Sequence, residues 1–149
     1  MEAKRITTRN SVTKNMPQKV LIVEDEYLIA LDMEAALEDA GFISAGIAST
    51  REEVRAKVRQ NRPDIALVDL HLADGLTGHL IGEELGKLGA RVVFVTANPS
   101  LVAQGVPHAL GVIEKPADED SLLDVVRWAS EASMHTQTSQ LPPRFQRFA

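Results

Sequence analysis

Five continuous apolar runs alternate along the chain with segments of helical period, and this alternation limits the possible fold more than any other feature. Strands that are buried on both faces of a sheet read as unbroken apolar runs, whereas amphipathic helices carry apolar residues on one face. The alternation predicts an α/β fold, a doubly wound five-stranded parallel sheet with right-handed crossovers and helices on both faces. The runs are VLIV (20–23), ISAGIA (43–48), DIALVD (64–69), RVVFVTA (91–97) and ALGVI (109–113).

Four amphipathic segments between and after these runs supply the predicted helices. The first is closed by Gly41, a residue type that commonly follows the end of a helix. The second begins at Thr50, and Glu53 three residues later completes a capping box. The predicted helices cover about 26–40, 50–61, 77–88 and 118–133.

Glycine and proline make two parts of the pattern less regular. The third helix contains Gly78, Gly82 and Gly86, so it is either weak on propensity or packed very closely against its neighbours. The segment 98–108 contains two prolines and a glycine and is expected to hold at most a short helix.

Charge and composition restrict the setting and the partners. The formal net charge of the 149-residue chain is −5, and because both ends are basic, the acidic excess lies in the folded body. Such a body is a poor nucleic-acid binder, since phosphate contacts need clustered Lys and Arg. No apolar run reaches the roughly 20 residues of a membrane span, and no signal peptide is recognisable. The expected location is the cytoplasm, with no membrane partner.

The chain is expected to form one domain between two flexible ends. We predict a flexible basic extension over residues 1–17, a folded domain over 18–133 and a flexible tail over 134–149. Short polar termini are commonly unstructured. Nothing after residue 133 is expected to fold into an output domain. The protein is therefore expected to be a single-domain protein whose output is a contact with another protein.

Polar side chains follow the predicted strands at their carboxyl ends. Glu24 and Asp25 follow the first strand, Asp69 ends the third, Thr96 ends the fourth and Lys115 follows the fifth. In open α/β sheets, ligands bind outside the carboxyl ends of the strands. The sequence therefore predicts three carboxylates, one hydroxyl and one ammonium at one edge of the sheet.

This set of groups suits magnesium binding and phosphoryl transfer. Mg²⁺ prefers oxygen ligands and is usually held by one or two carboxylates together with phosphate. A carboxylate beside such a cation can act as a nucleophile and form an aspartyl phosphate. The phosphoryl oxygens then need only neutralisation, for which Lys115 supplies a charge and Thr96 a hydrogen bond.

Four motifs in this order resemble the receiver domain of two-component response regulators: VLIVEDE, DIALVDLHLADG, VVFVTA and VIEKP, over about residues 18–133. The resemblance implies a flavodoxin-like strand order 2-1-3-4-5. It also implies that Asp69 accepts a phosphoryl group from a histidine kinase or a histidine phosphotransfer protein, and that Thr96 and Lys115 bind that group. The Lys115–Pro116 peptide bond is often cis in the family.

The resemblance further implies a magnesium ion as cofactor. Asp25, Asp69 and the main-chain carbonyl of His71 would ligate it, and Glu24 would help through a water molecule. The strand ending in Thr, a small residue and Asn-Pro is similar to that of a receiver subgroup common in alphaproteobacterial stress signalling. Three features depart from the family: Glu24 stands where Asp is common, Val112 stands where an aromatic switch residue is usual, and the interval from Thr96 to Lys115 is shorter than usual.

Three apolar residues are candidates for partner contacts. Leu28 and Leu31 lie opposite the core face of the first helix, where the resemblance implies docking of a kinase or phosphotransfer protein. Trp128 lies at the rim of the last helix's core stripe, and the sequence does not separate a core role from a partner contact. It does not settle homodimerisation or the downstream target either.

Other functions are compatible with parts of the pattern. A pseudo-receiver would use the same fold as an unphosphorylated binding scaffold, as Val112 and Glu24 slightly favour. An aspartyl phosphatase commonly carries a second Asp two residues after the nucleophile, but His71 stands there. An NTPase would need a G-x-x-x-x-G-K-[ST] loop, which is absent. We therefore expect a signalling protein and not an enzyme, its only catalysis being its own phosphorylation and dephosphorylation.

Overall fold

The computed structural model describes residues 16–131 and 141–149. Most of the predicted N-terminal extension, and the first part of the predicted tail, lie outside the described residues. A 3₁₀ turn covers Pro99–Val102. The strands and α-helices, in chain order, are β1 (Lys19–Val23), α1 (Tyr27–Asp39), β2 (Ile43–Ala48), α2 (Arg51–Gln60), β3 (Ile65–Val68), β4 (His71–Leu72), β5 (Gly75–Leu76), α3 (Gly78–Lys87), β6 (Arg91–Thr96), β7 (Gly111–Glu114), α4 (Glu119–Glu131) and β8 (Phe145–Arg147).

The main sheet has the order β2-β1-β3-β6-β7-β8. Its first five strands are mutually parallel and correspond to the five predicted runs, so the predicted α/β fold and strand order are confirmed. The short strands β4 and β5 form a separate antiparallel hairpin directly after β3. This hairpin lies between β3 and α3 in the chain, next to the carboxyl edge of the sheet.

Each central strand contributes side chains to two apolar layers, because successive side chains point to opposite faces. In β1, Val20 and Ile22 join the layer covered by α1 and α4, whereas Leu21 and Val23 join the layer covered by α2 and α3. Helices therefore cover both faces of the sheet, as the unbroken apolar runs predict.

The helices begin and end close to their predicted positions. Thr50 caps α2, and its hydroxyl accepts a hydrogen bond from the Glu53 amide at 3.1 Å. The Glu53 carboxylate accepts from the Ser49 amide at 2.7 Å, one residue earlier than in the standard capping box. Within residues 16–131 and 141–149, no helix has the length and apolarity needed to cross a membrane.

The glycines of α3 are explained by close packing. A Cβ atom on Gly78 would lie 1.9 Å from the carbonyl oxygen of Asp69, and one on Gly82 would lie 2.4 Å from Cζ of Phe94. A Cβ atom on Gly86 would lie 2.4 Å from the carbonyl oxygen of His108. Of the two explanations left open by the sequence, the structure favours a helix that lies very close to its neighbours.

The last described residues form a strand, where the sequence predicts only a flexible tail. Phe145–Arg147 pairs antiparallel with β7 and adds a sixth strand to the sheet. The prediction of a flexible tail is wrong for this part of the chain, because FQR is short, has only one apolar residue and therefore shows no apolar alternation. Its order depends on contacts with β7 and α4, which the local sequence does not reveal.

We expect Gly82→Ala to lower the free energy of unfolding by about 1–3 kcal/mol, because the added methyl group overpacks the fully buried Phe94 ring. A gain in helix propensity of up to about 1 kcal/mol opposes this loss. Urea denaturation measures the difference. Lys87→Ala, at an exposed position of the same helix, is the control and should change stability by less than about 0.5 kcal/mol. A Gly82→Ala variant more stable than the wild type would contradict the packing explanation.

Candidate functional site

The predicted site residues meet at the carboxyl edge of the sheet because backbone hydrogen bonds continue one residue past the strand ends. The Glu24 amide donates to the Ala48 carbonyl at 2.9 Å, and the Asp69 amide donates to the Val23 carbonyl at 2.9 Å. The Lys115 amide donates to the Thr96 carbonyl at 2.8 Å. These bonds fix the backbone under each side chain and bring the predicted set together.

The ammonium of Lys115 lies between two of the carboxylates. Its Nζ donates to Oε1 of Glu24 at 2.5 Å and to Oδ2 of Asp69 at 2.8 Å. Ligand oxygens of Glu24, Asp25 and Asp69 all lie within 4.8 Å of one another. When all groups are ionised, the three carboxylates carry more negative charge than the single ammonium of Lys115 can balance.

Burial and this charge excess shift the protonation of two groups. Glu24 is only 3% exposed, and desolvation raises the pKa of its carboxyl group although hydrogen bonds from Lys115 and from the Glu26 amide oppose the shift. Burial also disfavours the charged form of Lys115, but its hydrogen bonds to Asp69 and Glu24 outweigh burial and raise its pKa. Lys115 therefore keeps its positive charge beside these carboxylates.

The donor set fits a magnesium ion. Carboxylate oxygens are the hard ligands that Mg²⁺ prefers, and a divalent charge would balance the excess that Lys115 leaves. Asp25 is exposed, which leaves room for the water molecules that Mg²⁺ usually keeps. His71 begins β4 with an exposed side chain, and the role of its main-chain carbonyl as a ligand stays a prediction.

Asp69 is positioned as a partly accessible carboxylate. Its Oδ1 accepts a hydrogen bond from the Leu70 amide at 2.7 Å, and its side chain is 11% exposed. Beside it, the Gly78 amide donates to the Leu70 carbonyl at 3.0 Å. The backbone of residues 69 and 70 is therefore held by α3 as well as by the sheet.

Thr96 lies between Asp69 and Lys115 in the order of the strands. It ends β6, which pairs with β3 on one side and with β7 on the other. The residue is fully buried, and its hydroxyl oxygen accepts a hydrogen bond from the Asn98 amide at 3.1 Å. The Lys115–Pro116 peptide bond is cis, as the resemblance implies.

The candidate partner residues lie apart from this cluster. Leu28 is 77% exposed on α1, whereas Leu31 is half-buried. Trp128 on α4 packs against Phe145, with ring centroids 4.8 Å apart. The structure thus gives Trp128 a contact within the chain, and the sequence did not foresee it because it did not predict β8.

An apolar pocket beside Lys115 was not foreseen either. Its volume is about 450 Å³, and it lies between α1 and α4. Its lining includes Ile29 of α1, Val95 of β6 and Pro116. The only signal in the sequence is the pair of adjacent apolar residues Leu28 and Ile29, and the partial exposure of Ile29 becomes evident only in the structure. The pocket gives the site an apolar neighbour, because Lys115 itself belongs to its lining.

Comparisons with known proteins agree with this architecture. Residues 20–127 match the family model for the response regulator receiver domain. The chain is 36% identical over 118 residues to the phyllosphere-induced regulator PhyR of Methylorubrum extorquens, covering 77% of this chain and 44% of that protein. The chain spans about half the length of the curated relatives it matches.

Solved structures show the same likeness. The receiver domain of PhyR from Erythrobacter litoralis superposes with a TM-score of 0.72 at 29% identity, covering 82% of this chain and 96% of that one. The anti-anti-sigma factor PhyR from Bartonella quintana gives a TM-score of 0.65 at 27% identity, covering 85% and 53%. On its fold, its cluster of charged groups and these matches, the chain belongs to the response regulator receiver domain family.

Proposed function

We propose that this protein is a phosphoacceptor in two-component signalling, and that Asp69 takes the phosphoryl group from a phosphohistidine of a histidine kinase or a histidine phosphotransfer protein. The observation that carries the proposal is the position of the Lys115 ammonium, which contacts both Asp69 and Glu24. A lysine held against an accessible carboxylate by a second, buried carboxylate is arranged to neutralise a phosphoryl group.

The transfer is a displacement at phosphorus. A carboxylate oxygen of Asp69 forms the new O–P bond as the P–N bond to the donor imidazole breaks, and the leaving imidazole takes up a proton. Lys115 and the Thr96 hydroxyl then bind phosphoryl oxygens. Backbone amides after Asp69 supply further hydrogen bonds to these oxygens.

Glu24, Asp25 and Asp69, with the main-chain carbonyl of His71, would hold Mg²⁺. When bound, the ion neutralises the charge that develops on the phosphoryl oxygens. Because Glu24 accepts a hydrogen bond from Lys115, it orients the lysine as well as contributing negative charge. Asp25 is the exposed member of the set and is expected to ligate directly.

The output is a phosphorylation-dependent contact with another protein in the cytoplasm. The helices of the phosphate donor dock through the exposed Leu28 of α1, and the apolar pocket lined by Lys115 lies next to the phosphorylation site. The Bartonella relative is an anti-anti-sigma factor, and the match covers about half of that chain. We therefore assign only the receiver function to this protein.

We expect the protein to gain one phosphoryl group when incubated with Mg²⁺ and acetyl phosphate, since phosphoryl transfer to Asp69 needs no protein donor. Intact-mass spectrometry measures the gain, and Asp69→Asn should abolish it. Asp124→Asn, at an exposed position on α4, is the matched control and should gain the group like the wild type. If the wild type gains nothing, the unphosphorylated scaffold is the better description.

Mg²⁺ is expected to raise the melting temperature, because it relieves repulsion among the three carboxylates. Asp25→Asn should abolish the rise, whereas Asp32→Asn on the exposed part of α1 should preserve it. Calorimetry with and without Mg²⁺ measures both effects. A melting temperature that does not respond to Mg²⁺ in the wild type would contradict the proposed metal site.

The same Mg²⁺ effect should grow with pH. Since the pKa of Glu24 is raised in the folded state, its contribution to stability is complete below the ordinary Glu pKa and is lost as pH rises through the raised pKa. Mg²⁺ compensates this loss only where Glu24 is ionised. The rise in melting temperature should therefore be larger at about pH 8 than at about pH 5, and Glu24→Gln should reduce the difference.

Leu28→Asp is expected to slow phosphotransfer from the protein donor at least tenfold, equivalent to about 1.4 kcal/mol, because a charge then replaces an exposed apolar contact. Phosphorylation by acetyl phosphate should be unchanged. Leu101→Asp changes an exposed leucine of the 3₁₀ turn and is the control. Equal rates from the protein donor in wild type and Leu28→Asp would contradict docking on α1.

A further inference from the structure

The C-terminal segment, residues 141–149, lies along the outer edge of β7. Val112 lies opposite Gln146 in the antiparallel register. The Phe148 amide donates to the Leu110 carbonyl at 2.8 Å, and the Arg144 guanidinium donates to the Glu114 carbonyl at 3.4 Å. The segment therefore satisfies backbone groups along the whole length of β7 that would otherwise face solvent.

Gly111 shows that the sequence of β7 is adapted to a strand at this edge. A Cβ atom on Gly111 would lie 2.3 Å from the Gln146 carbonyl oxygen and 2.6 Å from Cζ of Phe145. The three nearest atoms all belong to the C-terminal segment. Glycine weakens the interior of a strand, and here its small size is required by the C-terminal segment. The edge is therefore shaped to receive a second backbone closely.

Two aromatic rings of the segment occupy opposite faces of the sheet. Phe145 is buried in the layer of α1 and α4 and packs against Trp128. Phe148 packs against the opposite layer, with its ring centroid 6.2 Å from that of Phe94. The edge of β7 thus has an aromatic site on each face, spaced for side chains three residues apart in an extended strand.

The segment has features that weaken its own attachment. Its paired part is only three residues long, and short edge strands contribute few backbone bonds. Arg144, directly before β8, has a φ angle of 68°, a conformation that is strained for residues other than glycine. Gln146 and Arg147 are exposed, so the apolar contacts of the segment come from Phe145, Phe148 and the buried Pro142, while the Arg147 guanidinium lies 5.9 Å from the centre of the Trp128 ring.

We propose that the outer edge of β7 is a docking site for an extended peptide strand, and that the C-terminal segment is its detachable occupant. The partner is an extended segment of another protein with two aromatic side chains three residues apart and polar residues between them. It would add to the sheet through backbone hydrogen bonds and place its rings against Trp128 and Phe94. The C-terminal segment competes with it from within the same chain at a high effective concentration. This proposal goes beyond the proposed function and does not depend on phosphorylation of Asp69.

Gln146→Pro detaches the segment without removing a core side chain. The Phe148 amide faces β7, and the amides of alternate residues face the same side of a strand, so the Gln146 amide faces β7 as well. Proline removes this donor, while the lost side chain is an exposed one. Gln146→Val keeps the donor and is the matched control.

The probe is a synthetic peptide with the sequence of residues 141–149, LPPRFQRFA. We expect the peptide to bind full-length Gln146→Pro at one-to-one stoichiometry, and to bind the wild type and Gln146→Val at least about tenfold more weakly, because their own segment competes. The Val112 amide should exchange faster with solvent in Gln146→Pro, and the peptide should restore its protection. Equal affinity for wild type and Gln146→Pro, or no binding to Gln146→Pro, would overturn the proposal.

Gly111→Ala, added to Gln146→Pro, separates edge docking from adhesion elsewhere. The added methyl group lies where the Gln146 carbonyl and the Phe145 ring need space, so peptide binding should be lost while the melting temperature stays near that of Gln146→Pro. Retained binding in the double variant would contradict the site.

A measurement on the unaltered protein keeps the proposal testable if the variants fold poorly. The Phe148 amide should exchange through a partial opening, with much less protection than the Val93 amide in the centre of the sheet. Equal protection of these two amides would show that the segment leaves only on global unfolding, and would overturn the proposal.

Discussion

The ion contact of Lys115 with Asp69 and Glu24 is the interaction on which the rest of the site depends. Its three groups follow three different strands, so the contact exists only when β1, β3 and β7 are in register. The buried Glu24 carboxylate would be costly without a cationic partner, and Lys115 provides one at 2.5 Å. The same lysine is thereby held within hydrogen-bond distance of Asp69.

The packing of α3 also supports this contact, because the start of the helix lies against the backbone of Asp69 and Leu70. Because Gly78 has no side chain, the helix approaches the backbone of Asp69 and Leu70 more closely than any other residue would permit. The Gly78 amide bonds to the Leu70 carbonyl, and the Leu70 amide bonds to the Asp69 side chain. The orientation of the Asp69 side chain therefore depends on a glycine in a neighbouring helix as well as on its charged partner Lys115.

The five parallel strands and the cluster at their carboxyl ends were predictable because both have local signals. Buried strands are unbroken apolar runs, and parallel topology brings their ends to one edge. The sequence did not predict the direct contact of Glu24 with Lys115, since it assigned Glu24 mainly to a metal-bound water. Nor did it predict β8, because FQR is ordered by contacts with Gly111 and Trp128, which are distant along the chain. The strand order followed from the resemblance of the four motifs to a known family, whereas the fit of a short terminal strand depends on tertiary contacts that no local motif reveals.

The charged cluster around Lys115 and the edge that pairs with the C-terminal segment are both built on β7, which has only four residues. Lys115 follows its carboxyl end, whereas Gly111 and Val112 form the edge that receives the C-terminal segment. Arg144 of that segment bonds to the Glu114 carbonyl, one residue before the lysine. Val112 stands where the family commonly has an aromatic residue, and on this face of the sheet the Phe148 ring packs instead. Since the lysine and the docking edge share one short backbone, a shift of β7 at either surface changes the geometry of the other.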